Sequence, residues 1–312
     1  MAKFAKEWQS SKPNPDEGHL KALWQADATA LERETELSKE ASKRRIASIQ
    51  ALMKPTGLTD AKVAELLKQD RERAEKSLQQ GERLVAAPPI DFGPLHRRDV
   101  EQAKANADRT GRGNPSWQGY IWTAAYAGFW SEWNGEAEET PNVVLNPAAN
   151  RVDPRTQTWG EGWWDEDYSR THAYLAFTFS PPSWGHLHVH VYPWLHGYYC
   201  LYSDDAWYKG EWARAEVDTW VDLHQNFWRA RDYQRRFTLA GDELHPQRCG
   251  RIDSQYTTSY FTNVGAADTV TLRVGVRLYS AAQANGGRSR LDFQAGAANF
   301  VFVPYVYWYL HT

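Results

Sequence analysis

The sequence predicts a chain that is α+β by segment, with an N-terminal helical arm of two or three helices followed by an antiparallel β-sandwich or jelly-roll-like domain. Three observations predict it. Of 16 Trp, 16 Tyr and 11 Phe, only Phe4, Trp8, Trp24 and Phe92 precede residue 111. Charge divides at the same place, with 20 Lys+Arg against 18 Asp+Glu in residues 1–110 and 16 against 21 in the remainder. The spacing of apolar residues also changes there, from a helical period to strict alternation.

Residues 1–15 are polar and read as a tail, set off by Pro13 and Pro15. The arm, residues 16–109, opens with Asp16 and Glu17, anions suited to a positive helix end. Leu20, Leu23, Trp24 and Leu31 share one helical face, as do Ile46, Ile49 and Met53, with a charged stretch between them. Pro55 and Gly57 interrupt this helix. A second runs from Ala61 to about Gln80 with Val63, Leu67, Ala74 and Leu78 on one side, and a third from about Arg97 to Asp108. The stripes are thin, so the arm is expected to bury them against the β domain or a second copy of the chain. Heptads are not sustained, which argues against a long coiled coil.

A linker over 110–116 leads to the aromatic-rich β domain, residues 117–312. Val270, Leu272, Val274, Val276 and Leu278 alternate with Thr271, Arg273, Gly275 and Arg277, the mark of a half-buried strand. Ala213, Ala215, Val217, Val221 and Leu223 alternate with Arg214, Glu216, Asp218, Trp220 and Asp222 in the same way. Asn285-Gly286 signals a hairpin. Residues 299–310 read as one strand apolar on both faces, with a bulge or edge position at Pro304.

Three constellations carry candidate chemistry. His186-x-His188-x-His190 places imidazoles on one face of a strand, about 7 Å apart for neighbours, close enough to grip a metal ion. Trp159, Trp163, Trp164, Asp165, Asp167 and Tyr168 combine aromatic faces with carboxylates in a Gly-containing loop, the chemistry of a glycan site; Asp204, Asp205, Trp207 and Tyr208 repeat the theme. Trp24, Arg229, Arg231, Tyr305, Tyr307 and Tyr309 are candidate interface residues, because Trp, Tyr and Arg favour interfaces.

The leading expectation is a non-enzymatic structural or assembly protein that self-associates through its arm and aromatic domain. The alternatives are a lectin-like glycan-binding module on a helical stalk and a metal-dependent enzyme with a His-x-His site. Expected partners are a second copy of the chain and a glycan. A net charge of -3 argues against nucleic acid, and no run suits a membrane span. No cofactor is expected, since Walker, dinucleotide, Gly-x-Ser-x-Gly and His-Glu-x-x-His motifs are missing. The N-terminus lacks the apolar core of a secretory signal, which leads us to expect synthesis in the cytoplasm and, for any export, a route other than Sec. Cys200 and Cys249 are expected to be reduced thiols.

Overall fold

A computed structural model describes residues 3–11, 18, 21–22, 24–26, 29, 33, 60–85, 117–134, 142–160, 166–203, 212–241, 247–283, 287–294 and 299–312. The fold is mostly β, 67% strand and 13% helical, in several antiparallel sheets. The expected arm of two or three helices is overturned. Among the described residues one helix has defined bounds, α1 (Asp60–Val85), and none is long and apolar enough to cross a membrane. The helix expected over 97–108 lies outside the described residues, as does the hairpin signal at Asn285-Gly286. Lys3–Ser10, read as polar tail, is the first strand, β1.

The remaining strands, in chain order, are β2 (Trp117–Ile121), β3 (Tyr126–Trp133), β4 (Asn142–Asn146), β5 (Arg151–Trp159), β6 (Glu166–Phe179), β7 (Gly185–Val191), β8 (Trp194–Tyr202) and β9 (Trp212–Gln225). They continue as β10 (Phe227–Trp228), β11 (Asp232–Gly241), β12 (Arg248–Gln255), β13 (Thr258–Val264), β14 (Val270–Gln283), β15 (Arg288–Asp292), β16 (Phe300–Phe302) and β17 (Val306–His311). They form a seven-stranded sheet, β1-β3-β6-β14-β9-β10 with β11 also on β9. A six-stranded sheet runs β12-β8-β15-β5-β16 with β4 on β5, and a four-stranded sheet runs β13-β7-β17-β2.

The alternation read in β14 and β9 sets the core. Leu272, Val274, Val276, Val217, Val221 and Leu223 turn inward to meet Leu187, Val189, Leu195, Leu291 and Val306 from the two facing sheets. Each side chain of this size contributes about 1.5–3 kcal/mol when fully buried. Residues 299–310 are not one strand. Val303, Pro304 and Tyr305 carry the chain from β16 in the six-stranded sheet to β17 in the four-stranded one, and a residue without an amide donor suits such a crossing.

Why α1 is not part of a separate bundle follows from its composition. Its contact with the β domain is made by small residues: Ala74 is fully buried, and Gly81 sits so close to the sulfur of Cys249 that a Cβ there would clash. Glu82 pairs with Arg290 at 2.6 Å, so a charge on the helix bonds to the sheet. Beneath the helix Cys200 and Cys249 form a disulfide, correcting the expectation of free thiols. They are direct cross-strand partners of β8 and β12, a juxtaposition that 49 residues of separation conceal in the sequence.

Candidate functional site

The four-stranded sheet has two contrasting faces. Inward it presents Leu187, Val189, Val191, Val306 and Leu310 to the core, and Trp308 stacks on Phe179 at 4.9 Å. Outward, register assembles rows from four separate segments. Phe261, His188, Tyr309 and Gln118 stand opposite one another in one row. Ser259, His190, Tyr307 and Tyr120 form the next. His186 and His311 continue the array at one end. Tyr192, Tyr305 and Trp122 close the other, with Trp122 and Tyr192 at 5.4 and 5.6 Å from Tyr305.

Ring geometry defines the surface. The His188 and Tyr309 rings are parallel within 4° at a centroid distance of 4.7 Å. That distance equals the spacing of neighbouring strands, so the rings stand upright on the sheet and stack across it. Tyr307 and Tyr120 continue the ladder at 4.9 Å. Hydroxyl and imidazole edges therefore face solvent, while a ring face opens at the rim, where Phe261 on edge strand β13 is 74% exposed. Tyr307 donates its hydroxyl to Gln118 Oε1 at 3.0 Å, and His190 Nδ1 bonds Ser259 Oγ at 2.9 Å.

This face carries no Asp, Glu, Lys or Arg and no aliphatic side chain among the residues named. Two of its imidazoles favour the neutral form. His188 is lowered from the ordinary histidine value by burial first and then by His311 and His186; His190 is lowered by burial first and then by His188. The Tyr307 hydroxyl is raised, chiefly by burial and then by Tyr309 and Tyr192. At neutral pH the two central rows form an uncharged, hydrogen-bonding aromatic surface.

The structure thus unites two sets that the sequence treated separately: the histidines read as metal ligands and the tyrosines read as interface residues. His186, His188 and His190 do share a face, but among the described residues no group of three or more His, Cys, Asp or Glu gathers as a metal site. Of the loop read as a glycan site, Trp159, Asp167 and Tyr168 are among the described residues. Trp159 is buried at the end of β5 beneath the Arg288 guanidinium, and Asp167 is buried in β6. Burial, then Glu132, raises the Tyr168 hydroxyl to about 12. Trp163, Trp164 and Asp165 lie outside the described residues, as do Asp204, Asp205, Trp207 and Tyr208.

The remaining candidates find partners within the chain. Trp24 packs with Trp8 against Tyr126, Tyr174 and Trp220. Arg231 bonds Asp222 at 2.9 Å, and Arg229 lies 4.7 Å from the Phe227 ring centre while donating to the Asn263 carbonyl. Sequence reasoning missed Phe261, Gln118, Tyr120 and His311. Their alternation within short strands was visible; which strands become neighbours was not.

No protein-family model matches the chain, and no curated protein matches it. Among solved structures, a native family 35 carbohydrate-binding module from Clostridium thermocellum aligns at 10% identity and TM-score 0.17, covering 54% of this chain and 98% of that one. The module TmCBM61 in complex with β-1,4-galactotriose aligns at 12% identity and TM-score 0.12, covering 58% and 88%. An isomalto-dextranase of Arthrobacter globiformis T6 complexed with panose aligns at 7% identity and TM-score 0.18, covering 62% and 36%. Likeness this slight assigns neither family nor ligand.

Proposed function

We propose that the protein is a non-catalytic glycan-binding module whose contact surface is the outer face of the four-stranded sheet. One observation carries the reading: a solvent-facing sheet surface made of aromatic rings, imidazoles and amides, without charge or aliphatic side chains. An ordinary solvated sheet face is covered by charged and β-branched residues. A protein interface at its core combines aromatics with aliphatic fill, which this surface lacks. Sugars ask for what it offers. Their C–H faces stack on an exposed ring such as Phe261, and their hydroxyls exchange hydrogen bonds with the upright edges of Tyr309, Tyr307, His188 and Gln118. The absence of charge favours an uncharged oligosaccharide.

Calorimetric titration of the full chain with neutral oligosaccharides, together with pull-down on insoluble polysaccharides, tests the proposal. Phe261→Ala and Tyr309→Ala are each expected to weaken binding about tenfold, as for one aromatic contact of about 1.4 kcal/mol. Failure of the native chain to bind any of the set, or binding indifferent to both substitutions, would overturn it. A dimer in light scattering that Phe261→Arg dissociates would reassign the face to self-association.

A further inference from the structure

The outer face of the four-stranded sheet turns ring edges outward at its centre and ring faces at two corners. Centrally the rings stack across neighbouring strands. His188 lies on Tyr309 and His190 on Tyr307 at 4.7 and 6.1 Å, with planes 4° and 21° apart, so their edges point away from the sheet. At one rim Phe261, on edge strand β13, is 74% exposed. At the diagonally opposite corner the parallel stacking gives way. Tyr305 lies 5.4, 5.6 and 5.7 Å from Trp122, Tyr192 and Tyr120, its plane turned 49°, 47° and 56° from theirs. Rings tilted so far from one another cannot all stand upright, so this corner offers ring faces as well as edges.

Strand register fixes how far apart the two corners are. Phe261, His188, Tyr309 and Gln118 share one row across the four strands. Trp122 follows Gln118 along the chain by two turns of the pleat. Three strand spacings in one direction and four residues of rise in the other place the corners roughly 20 Å apart. His190 and Tyr307 stand on the line between them. The Tyr307 hydroxyl donates to Gln118 Oε1 at 3.0 Å and keeps its oxygen lone pairs to accept from a ligand hydroxyl.

We infer that the ladder takes an extended, linear stretch of a neutral glycan, stacked on Phe261 at one end and on the Trp122–Tyr305 corner at the other. The inference rests on the glycan reading of this face and adds the length and shape of the ligand to it. One or two sugar rings cannot bridge roughly 20 Å, so a monosaccharide or disaccharide engages one corner at a time. A longer chain held at one corner presents its far end to the other at high effective concentration. The second stacking contact then raises affinity without a second loss of translational freedom, and hydroxyls along the chain meet the edges of His190 and Tyr307.

The test is a calorimetric length series on the full chain, using linear cello-, manno- and xylo-oligosaccharides from the disaccharide to the hexasaccharide. In the series that binds, affinity is expected to rise about tenfold or more between the disaccharide and the length that reaches both corners, about four units, and to level off beyond it. Phe261→Ala and Trp122→Ala are each expected to remove that gain, so that long and short ligands bind the variant alike. Should Trp122→Ala fail to fold, Tyr192→Ala at the same corner replaces it under the same criterion. If disaccharide and hexasaccharide bind the native chain alike, or if the gain with length survives in Trp122→Ala, the inference is overturned while the glycan reading stands. Binding of no oligosaccharide or insoluble polysaccharide overturns both.

Discussion

At the scale of single residues, two histidines separate binding from stability. His188 and His190 stand on the exposed ladder with pKa values lowered mainly by burial, so both are neutral near pH 7. Protonation, which begins only as the pH falls below the ordinary histidine value of 6.5, places cations among the tyrosine edges and disfavours the neutral-ligand arrangement. Affinity for a neutral oligosaccharide is expected to fall as the pH is taken below that value, and His188→Gln to flatten the dependence; calorimetry across an acid titration reads it. His172 is different. It is buried against Trp130 at 3.9 Å, and its pKa is driven well below normal by burial first and then by Arg231, Arg277, Arg170 and Arg273. The folded state refuses a proton that the unfolded chain accepts, so this contribution to stability is present above about pH 6.5 and is lost as the pH falls below it. Thermal melts of His172→Phe should therefore lose less stability on acidification than those of the native chain. Gly275→Ala is the steric counterpart: its Cβ meets the Trp220 ring and the Ala173 carbonyl oxygen, and a loss of about 1–3 kcal/mol in denaturant unfolding is expected.

At the scale of elements, legibility followed the amount of alternation. β9 and β14, with 14 residues each and a paired strand on both sides, announced themselves because most of their alternate residues are aliphatic. The helical arm misled because Ala, Glu, Lys and Leu favour helices wherever they end up, and propensity does not say what a helix packs on. α1 approaches its sheet through Ala74 and Gly81, residues that an apolar-stripe search weighs lightly. The disulfide beneath it was missed for a related reason, since register alone brings Cys200 opposite Cys249. Closing a 49-residue separation, this bridge is worth roughly 3–4 kcal/mol in the chain-entropy view. The double change Cys200→Ala with Cys249→Ala should lower stability by about that amount in denaturant titration while leaving the ladder of the four-stranded sheet able to bind.

At the scale of the whole molecule, the two aromatic faces belong to sheets on opposite sides of one core. The inner layer joins them: Thr219 of β9 bonds Thr258 of β13 at 3.0 Å, and Phe179 of β6 stacks on Trp308 of β17. Of the ladder residues the sequence marked His186, His188, His190, Tyr305, Tyr307 and Tyr309, but assigned the histidines and tyrosines to different roles. Trp24 and Arg231, read as interface residues, pack on the seven-stranded sheet instead, because no one-dimensional pattern shows a tryptophan folding back over a glycine. Packed sheets lie about 10 Å apart, and no side chain is shared between the two outer faces. A change on the outer face of the seven-stranded sheet is therefore expected to leave affinity at the ladder within about 0.5 kcal/mol, as for distant sites. Trp24→Ala should titrate with a neutral oligosaccharide at the ladder as the native chain does. Combining Phe261→Ala with Trp24→Ala should weaken that binding about tenfold, as Phe261→Ala does alone. A larger loss in the double variant would mean that the two sheets communicate through the core.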